Sequence, residues 1–364
     1  MNAFTKEDLK IFQSETLDQK EQRSMAKISE WFVRWENMVY VAFSGGKDSS
    51  VLADLCAFWC QASGATLYLV FVNTGLEYPE IQKHVKFYAE HLRKKYGIEV
   101  VLEILHPKKR FDEVIKEYGY PMISKEVSKC VNSAKRLDSK YGQACRERLN
   151  GIYEQKNGEL SLYNCSKYKP LLEVDFDVSH RCCDVMKKAP SHDYAKRTGR
   201  KQITAQMASE SRLREQQWIK HGCNGFDMAT PTSNPMSFWT EQDILQYIKK
   251  YEIPIASVYG DMVYANDPEQ MRIEDFGFTD DSALELKTTG CERTGCIFCG
   301  FGAHREKESR FERLKKTHPR QYEYCIGGGE YNENGLWVPN KNGLGMGHVF
   351  DELNKIYGEG FIKY

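Results

Sequence analysis

The residues best suited to chemistry in this sequence are those at positions 41–50, which read Val-Ala-Phe-Ser-Gly-Gly-Lys-Asp-Ser-Ser. Two adjacent glycines let the backbone approach a ligand closely, while the lysine adds a cation and the serines add hydroxyl donors. A Walker A loop has four residues between its first glycine and its Gly-Lys pair, whereas here Gly45 directly precedes the Gly46-Lys47 pair. The pattern predicts a site for nucleotide phosphates, rather than an ordinary Gly-Gly turn. Its residues, here called the Gly-Gly loop, are Ser44, Gly45, Gly46, Lys47, Asp48, Ser49 and Ser50.

The segments on either side of the Gly-Gly loop suit this task. The apolar run 38–43 is typical of a buried strand, and residues 49–62 favour a helix. A strand that turns into a helix N-terminus directs several backbone N–H groups and the positive end of the helix dipole to one point. An anionic phosphate or pyrophosphate is the ligand that such a point attracts.

The order of the following segments indicates the fold class. Residues 67–72 form a continuous apolar run typical of a central parallel strand, 79–96 have helical spacing, and 98–104 alternate like another strand. This order predicts an α/β domain with a doubly wound, mostly parallel sheet, in which ligands bind at the carboxyl ends of the strands. Two candidate segments occupy such ends, namely the Gly-Gly loop and residues 73–77. Asn73, Thr74 and Gly75 are therefore expected to contact the ligand.

A second group of residues has the chemistry of a metal centre. Cys182 and Cys183 are adjacent, and Cys296 and Cys299 are separated by two residues on a loop bounded by glycines. Vicinal cysteines are unusual in structural zinc sites, whereas four thiolates without a histidine suit an iron–sulfur cluster. From the residues alone an iron–sulfur cluster is favoured, with zinc and free or redox thiols as alternatives.

Composition limits the class of protein. The 364 residues include 51 Lys or Arg and 51 Asp or Glu, so no global charge indicates DNA or membrane binding. Neither a membrane-spanning apolar run nor a signal peptide is evident, which predicts a cytoplasmic protein. In that compartment the 12 cysteines are not expected to form a disulfide framework.

The chain is expected to fall into three regions. Residues 1–37 predict N-terminal helices, and residues 38–260 predict the nucleotide-binding α/β domain with a helical insertion at about 120–180. Residues 261–364 predict a Cys-rich C-terminal region that completes the cluster. The oligomeric state stays open, a homodimer included.

Four motifs resemble those of one protein family. Residues 44–49, Ser-Gly-Gly-Lys-Asp-Ser, match the PP-loop of the adenine-nucleotide alpha hydrolases. Residues 182–190, residues 208–214 and the Asn-Pro…Trp-Thr…Ile-Pro segment of residues 234–254 are similar to motifs of the phosphoadenosine and adenosine phosphosulfate reductase family. The resemblance spans residues 39–305. It implies an adenine-nucleotide alpha hydrolase-like fold and an adenine nucleotide as ligand, with its adenosine in contact with Asn73, Thr74 and Gly75. It also implies a [4Fe–4S] cluster held near the nucleotide by Cys182, Cys183, Cys296 and Cys299.

Two departures from the reductases bear on the reaction that the resemblance implies. Assimilatory reductases usually carry a degenerate PP-loop, whereas this one is complete, and their C-terminal Glu-Cys-Gly-x-His segment has no counterpart here. Both differences favour an ATP pyrophosphatase that adenylylates a substrate and takes part in sulfur transfer, with tRNA or DNA as an acceptor. The alternatives are a reductase that releases sulfite from a phosphosulfate nucleotide with a thiol-carrier protein, and a nucleotide- and cluster-binding regulator without turnover.

Further residues are candidates for particular steps. Arg212 and Arg214 are expected to clamp an anionic group, because guanidinium binds phosphate and sulfate bidentately. Asp48 and Glu77 are candidates for binding Mg²⁺, with helix capping as the alternative. Cys325, with Cys291, is the candidate thiol for sulfur delivery, although burial as an inert residue is the more common outcome. The cations that crowd residues 187–201 suit either a polyanion or a solvated helix face.

Overall fold

The structure is a computed structural model and describes residues 4–136, 141–265 and 285–364. The helices are α1 Lys6–Gln13, α2 Leu17–Arg34, α3 Lys47–Ser63, α4 Pro79–Tyr96, α5 Phe111–Tyr118, α6 Lys125–Lys135, α7 Gly142–Asn150, α8 Ala189–Thr198, α9 Arg212–His221, α10 Glu241–Lys250, α11 Arg310–Thr317, α12 Pro319–Ile326 and α13 Met346–Tyr357. The strands are β1 Val39–Ala42, β2 Leu67–Val72, β3 Val100–Leu105, β4 Met122–Ile123, β5 Lys201–Ile203, β6 Asn224–Gly225, β7 Thr232–Ser233, β8 Met262–Tyr264, β9 Leu286–Thr288, β10 Gly300–Phe301, β11 Glu330–Tyr331 and β12 Trp337–Val338.

The chain divides into two compact units. Unit 1 comprises residues 1–73, 77–105 and 191–294, and unit 2 comprises residues 74–76, 106–190 and 295–364. Each unit is thus assembled from separated stretches of sequence, whereas the predicted regions were continuous apart from one insertion. The predicted insertion at 120–180 and the predicted C-terminal region extend over residues 137–140 and 266–284, which lie outside the described residues.

A six-stranded sheet forms the centre of unit 1, in the order β3-β2-β1-β5-β7-β6. Its neighbouring strands are parallel except for the antiparallel pair β6 and β7. The prediction of a doubly wound, mostly parallel α/β sheet is confirmed. The short strand β5 lies between β1 and β7 in this sheet.

Helices cover both faces of this sheet. Tyr40 of β1 and Val70 of β2 pack with Tyr194 of α8 on one face. On the other face α3 packs against β1 and β2, and is flanked by α2, α4 and α10. Side chains of one strand alternate between the two faces, so a strand buried on both must be apolar almost throughout. This explains the continuous apolar runs of β1 and β2.

Capping boxes mark the start of two helices of unit 1. Thr5 before α1 and Thr240 before α10 each form a capping box with the residue three positions later, Asp8 or Asp243. Buried Lys20 also donates to Asp243, with Nζ 2.7 Å from Oδ2, which joins α2 to the start of α10. The predicted N-terminal helices are α1 and α2.

Unit 2 is mainly helical and contains two short strand pairs, the parallel pair β4 and β10 and the antiparallel pair β11 and β12. The helices α6 and α7 pack together and against the 3₁₀ helix Ser166–Leu172, while α12 packs against α11 and α13. Among the described residues, no helix combines the length and apolar character needed to cross a bilayer.

Candidate functional site

The Gly-Gly loop of unit 1 joins β1 to α3 through a backbone shape that requires glycine. Gly45 has φ +73°, in the left-handed region. A Cβ atom built on it would lie 2.7 Å from Cγ2 of Val85 and 2.9 Å from Cγ2 of Ile81, both on α4. Both the backbone conformation and the packing against α4 therefore exclude a side chain at this position.

Hydroxyl groups surround the start of α3. Gly46 is the N-cap and provides no side-chain cap, and its N–H donates to Oγ of Ser44 over 3.4 Å. The N–H of Lys47 donates to the Tyr259 hydroxyl over 3.1 Å, and that hydroxyl lies 2.8 Å from Oγ1 of Thr294. A ligand that used the Lys47 N–H group would have to replace the Tyr259 hydroxyl.

The side chain of Lys47 is buried and surrounded by acceptors. The residue is 2% exposed, and its Nζ atom lies 2.8 Å from Oε1 of Glu241, 3.2 Å from Oδ1 of Asp48 and 3.1 Å from the carbonyl oxygen of Glu292. Burial on its own lowers the pKa of Lys47, but the carboxylates of Asp48 and Glu241 outweigh burial, so the pKa is raised. The lysine is therefore a cation, held by negative charge within its own unit.

Two carboxylate oxygens beside Lys47 can accept a further hydrogen bond or bind a cation. Within the part of the chain that the structure describes, the buried Oε2 of Glu241 has no hydrogen-bond partner, and the buried Oδ1 of Asp48 forms no hydrogen bond beyond its ion pair with Nζ of Lys47. Buried polar atoms normally have one, and carboxylate oxygens are the ligands that Mg²⁺ prefers. The donor set of this site therefore fits Mg²⁺ as well as a phosphate-binding lysine. Glu77, the other predicted candidate, is 8% exposed in the same unit.

The serines of the Gly-Gly loop bind to one another and to the backbone. Oγ of Ser44 lies 3.1 Å from Oγ of Ser49, which also donates to the Gly46 carbonyl over 2.8 Å. Ser50 is fully buried, and its Oγ lies 3.4 Å from Nε2 of His84 on α4. Ser44 is exposed, so of the three predicted serines it is the most accessible to a ligand.

The two predicted arginines differ in exposure and in their surroundings. Arg214 is half-buried and forms an ion pair with Glu210, and Arg293 lies 3.4 Å from the same carboxylate. Burial, followed by the charge of Arg293, lowers the pKa of Arg214, while the charge of Asp48 opposes this change. Arg214 thus shares an electrostatic environment with Asp48 of the Gly-Gly loop, whereas Arg212 is exposed at the start of α9.

The predicted adenosine segment follows β2. Since β1 and β2 are parallel neighbours, Ser44 and Asn73 emerge at the same edge of the sheet, as expected. The N–H of Asn73 donates to the Leu105 carbonyl over 2.8 Å. Thr74 and Gly75 belong to unit 2, where Oγ1 of Thr74 accepts from the N–H of Leu76 over 3.2 Å. The role of these residues toward adenosine stays a prediction.

The four predicted metal ligands all belong to unit 2. Cys182 and Cys183 precede a π-helical turn, Asp184–Lys188, and their sulfurs are 4.0 Å apart. Cys296 and Cys299 lie on a tight turn closed by a hydrogen bond of 3.1 Å from the Cys299 N–H to the Cys296 carbonyl. Negative charge on Cys299 and on Cys296 raises the pKa of Cys182, so the two cysteine pairs are close enough to interact electrostatically.

Cations face these thiols. The hydrogen bond from Cys182 is the main cause that lowers the pKa of Cys183 to about 6, and the charges of Lys125 and Lys187 add to it. The same hydrogen bond is the main cause that raises the pKa of Cys182. Burial raises the pKa of Cys299 against the opposing charge of Arg310, whose Nη1 donates to the Cys299 carbonyl over 2.9 Å.

This donor set fits a [4Fe–4S] cluster, because soft thiolates are its ligands and nearby cations offset their negative charge. Within the described ranges, no group of three or more His, Cys, Asp or Glu side chains has the arrangement needed to hold a metal ion. A four-iron cluster distributes its four thiolates over four irons and does not require them to converge on one point.

The remaining predicted thiols are buried. Cys325 is 0% exposed, its Sγ lies 3.5 Å from the Met346 sulfur, and burial raises its pKa well above the ordinary value. Cys291, in unit 1, is 3% exposed. A buried thiol with a raised pKa holds little thiolate, so Cys325 has the properties of a structural residue and not those of a nucleophile.

Several cations of the basic stretch are engaged in local contacts. The guanidinium of Arg200 lies 3.3 Å from the centre of the Tyr68 ring, and Nζ of Lys201 lies 5.1 Å from the centre of the Trp35 ring. Nζ of Lys188 pairs with Oδ1 of Asp184 over 2.9 Å. These contacts give the three residues roles in packing or ion pairing.

Sequence reasoning did not identify the groups that hold Lys47. Glu241 is recognisable only as the first residue after the Thr240 cap, and Tyr259 lies in a short 3₁₀ helix, Ser257–Tyr259, without a motif. The Glu292 carbonyl and the Thr294 hydroxyl were not predicted either, because the prediction for this stretch concerned only the cysteines of the loop that follows them.

Similarities to solved structures are weak. One is to the NMN synthetase of Francisella tularensis, with 12% identity over 66% of this chain and 73% of that one and a TM-score of 0.33. Another is to a U34-tRNA thiolase of Methanococcus maripaludis with its [4Fe–4S] cluster, with 14% identity over 70% of this chain and 69% of that one and a TM-score of 0.34. At these TM-scores neither similarity supports a functional argument.

Among curated proteins, an uncharacterised protein of Methanocaldococcus jannaschii is 36% identical over 105 residues, which are 29% of this chain and 20% of that protein. The chain therefore matches only a fifth of the length of this relative. A family model gives a broader result. The model of the phosphoadenosine phosphosulfate reductase domain matches residues 38–147 and 125–300, which include the Gly-Gly loop, the arginine segment and all four predicted cluster cysteines. With well over half of its length matched, the chain belongs to the phosphoadenosine phosphosulfate reductase domain family.

Proposed function

We propose that the protein is a PP-loop ATP pyrophosphatase of this family, which adenylylates a substrate and takes part in sulfur transfer. The observation that carries the proposal is the geometry of the complete Gly-Gly loop. Gly45 adopts a conformation that only glycine adopts readily, and Gly46 opens α3 without a side-chain cap. A buried lysine of raised pKa follows at once. These are the features of a site for the phosphates of ATP.

Lys47 and the first turn of α3 would hold the pyrophosphate portion of ATP. An acceptor atom attacks the α-phosphorus, the bond from that phosphorus to the bridging oxygen breaks, and pyrophosphate leaves with the electron pair. The lysine cation and the helix N-terminus then stabilise the negative charge that builds up on the leaving group. Hydrogen bonds from Ser44 would add to this stabilisation, because Ser44 is the exposed serine of the loop.

Binding of ATP requires an exchange of partners around Lys47. In the structure Glu241 and Asp48 neutralise the lysine, so phosphate oxygens must take over part of that role. Mg²⁺ held by Oδ1 of Asp48 and Oε2 of Glu241 would remove the repulsion between these carboxylates and the phosphates. Arg214 would contribute a second cation, since it interacts electrostatically with Asp48.

The four-cysteine set of unit 2, Cys182, Cys183, Cys296 and Cys299, would hold a [4Fe–4S] cluster. When bound, such a cluster supplies a metal site for carrying sulfur or electrons. The chain provides the thiolates and the offsetting charges of Lys125, Lys187 and Arg310. Cys325 has no part in this mechanism, because it is buried and holds its proton.

The acceptor of sulfur is proposed to be a nucleic acid, tRNA or DNA. Support comes from the intact phosphate loop, which is needed to activate an acceptor with ATP but not to bind a phosphosulfate nucleotide. The second candidate function is reduction of a phosphosulfate nucleotide to sulfite with a thiol-carrier protein. Membership of the phosphoadenosine phosphosulfate reductase domain family favours this candidate.

The two candidates make opposite predictions about ATP. Anaerobically purified protein is incubated with radiolabelled ATP, Mg²⁺, sulfide and either bulk tRNA, DNA oligonucleotides or no acceptor. We expect AMP and pyrophosphate in equal amounts with one of the nucleic acids. Sulfite formed from phosphosulfate nucleotide without ATP consumption would support the reductase. ATP binding without turnover under every condition would indicate a regulator and contradict both enzyme proposals.

A variant identifies the site that carries the activity. Lys47→Gln removes the cation but keeps a side chain of similar length, and we expect pyrophosphate formation to fall at least ~100-fold if about 3 kcal/mol of charge stabilisation is lost. Lys220→Gln on α9 is the matched control, because Lys220 is exposed. Thermal melting of both variants separates loss of activity from loss of folding.

A further inference from the structure

Unit 2 contains a second cluster of cysteines, separate from the four-cysteine set. Three elements contribute to it: α6 carries Cys130, α7 carries Cys145, and the segment before the 3₁₀ helix Ser166–Leu172 carries Cys165. The Sγ atoms of Cys130 and Cys165 are 3.8 Å apart, although the residues are 35 positions apart in sequence. Sγ of Cys130 also lies 3.4 Å from the Cys145 carbonyl.

We propose that Cys130 and Cys165 form a redox-active dithiol that exchanges with a disulfide and closes to an intramolecular disulfide bond. The inference does not depend on the nucleotide reaction or on the cluster. It rests on the distance between the two sulfurs, on the cation placed beside them and on their unequal exposure.

Arg148 of α7 is the cation at this thiol pair. Its Nη1 donates to Oε1 of Glu126 on α6 over 2.9 Å, and its Nε donates to the Tyr163 carbonyl over 2.9 Å. Its own carbonyl accepts from the Cys165 N–H over 2.9 Å. Arg148 therefore ties together the two helices and the segment that bears Cys165, and it keeps its positive charge near both sulfurs.

The surroundings favour Cys165 as the thiolate. The hydrogen bond between Cys165 and Cys130 is the main cause that lowers the pKa of Cys165, and the Arg148 charge lowers it further against the effect of burial. The pKa of Cys130 is raised by the same hydrogen bond and by burial. Cys165 is partly exposed, whereas Cys130 is 0% exposed. Cys165, the accessible cysteine, is thus the nucleophile. Cys130, the inner one, is placed to attack the mixed disulfide that forms on Cys165.

The exchange proceeds in two balanced steps. The Cys165 thiolate attacks one sulfur of a small disulfide, whose S–S bond breaks and whose other sulfur leaves as a thiolate, giving a mixed disulfide on Cys165. Cys130 then loses its proton and attacks the Cys165 sulfur, which expels the second thiolate. The protein loses two electrons and the small disulfide gains them. A small dithiol reverses both steps.

Closure needs only a local movement. A disulfide has sulfurs about 2.05 Å apart, so those of Cys130 and Cys165 must approach each other by roughly 1.8 Å. Cys165 is the N-cap of a short 3₁₀ helix and makes no side-chain cap hydrogen bond there, so its side chain is not held in place by that helix.

Another pair of cysteines provides an internal comparison. Cys56 and Cys60 are one helical turn apart on α3, and both are 0% exposed. Burial raises the pKa of Cys60 to about 12 and that of Cys56 well above the ordinary value. This pair lacks the exposure and the lowered pKa found at Cys165, so it is expected to stay reduced when Cys130 and Cys165 oxidise.

The test uses the full-length protein, purified anaerobically and equilibrated with glutathione buffers from fully reduced to fully oxidised. Free thiols are alkylated, and peptides are mapped by mass spectrometry. We expect a disulfide that joins the Cys130 and Cys165 peptides, forms at intermediate glutathione ratios and disappears with dithiothreitol. The Cys56 and Cys60 peptides should remain fully alkylated after unfolding. If Cys130 and Cys165 stay free in folded protein at every ratio, or pair with other cysteines, the proposal is overturned.

Two variants test the roles of the residues. Arg148→Met should slow alkylation of Cys165 about tenfold near neutral pH, because a cation-stabilised thiolate is lost. Lys129→Met, which removes a charge at an exposed residue of α6, is the matched control and should leave both the disulfide and the alkylation rate unchanged. If Arg148→Met does not fold, alkylation of Cys165 in the wild-type protein is followed against pH instead. A Cys165 titration midpoint no lower than that of a free thiol would then overturn the proposal.

Discussion

The Nζ atom of Lys47 lies 2.8 Å from Oε1 of Glu241, so the lysine of the Gly-Gly loop is already paired before any nucleotide arrives. Glu241 is the first residue of α10, far from Lys47 in sequence. The pair neutralises a buried cation, because an unpaired ammonium group in this position would be costly. Glu241 and the phosphates of a bound nucleotide would therefore compete for Lys47.

The first prediction concerns that competition. Glu241→Gln weakens the internal partner of Lys47 and removes a negative charge that repels phosphate, so ATP should bind about three- to tenfold more tightly without Mg²⁺, a gain of up to about 1.4 kcal/mol. Isothermal titration calorimetry measures the change. Glu7→Gln, an equal charge change at an exposed residue of α1, should have no effect. Weaker binding by Glu241→Gln would mean that the carboxylate assists the nucleotide.

The second prediction concerns the shape of the Gly-Gly loop. Gly45→Ala forces an L-residue into φ +73° and places Cβ 2.7 Å from Val85 and 2.9 Å from Ile81. Gly64→Ala, at the other end of α3, has φ +69° but meets nothing within 4 Å. We expect Gly64→Ala to cost about 1–2 kcal/mol from the backbone alone. Gly45→Ala should cost about 1–3 kcal/mol more from overpacking. Urea unfolding measures both, and equal losses would disprove the contact with α4.

The third prediction concerns acid stability. Burial, helped by the charge of His91, lowers the pKa of His84 to about 4. In the unfolded chain this histidine takes up a proton near its ordinary pKa of about 6.5, so the unfolded state binds more protons between about pH 6.5 and 4. The stability that His84 contributes is complete above about pH 6.5 and should be lost as the pH falls toward 4, by at most about 1.4 kcal/mol per pH unit.

Urea midpoints at pH 7 and pH 5 measure this effect. His84→Gln should lower stability at pH 7 and reduce the difference between the two pH values. His192→Gln, at an exposed position of α8, should preserve the difference. An unchanged pH dependence in His84→Gln would show that His84 is not the group responsible.

The fourth prediction concerns the four-cysteine set. Cys183→Ser should lose most of the iron and acid-labile sulfide of anaerobically purified protein, together with its visible absorption, because serine is a poor replacement for a thiolate ligand. Cys325→Ala changes a buried cysteine outside this set and should keep the full iron content. Stoichiometric zinc in the wild-type protein, or unchanged iron in Cys183→Ser, would contradict the assignment.

The fifth prediction separates the two arginines. Arg214 is half-buried, paired with Glu210 and affected by the charge of Asp48, whereas Arg212 is exposed. Arg214→Met should reduce pyrophosphate formation about 10- to 100-fold, which corresponds to loss of a hydrogen-bonded charge of about 1.5–3 kcal/mol. Arg212→Met should reduce it less than about threefold, as expected for an exposed charge. Equal losses would mean that both arginines reach the substrate.

Much of the fold follows from local sequence signals. The apolar run of β2, the helical spacing of α4 and the capping boxes at Thr5 and Thr240 predict their elements, because each depends on neighbouring residues. Residues 201–207 are harder to read, because β5 is only three residues long and too short to establish a period.

Sequence by itself also determined the chemistry of the two motifs. A Gly-Gly-Lys turn between a strand and a helix suits phosphate wherever it occurs, and four soft thiolates suit a cluster. Only the tertiary structure decided which distant groups face these motifs. Glu241 and Tyr259 meet Lys47 because α10 packs against α3 and the 3₁₀ helix Ser257–Tyr259 packs against α4. Long-range packing likewise places Cys165 next to Cys130 and Arg148, since residues far apart in a sequence carry no local signal of their contact.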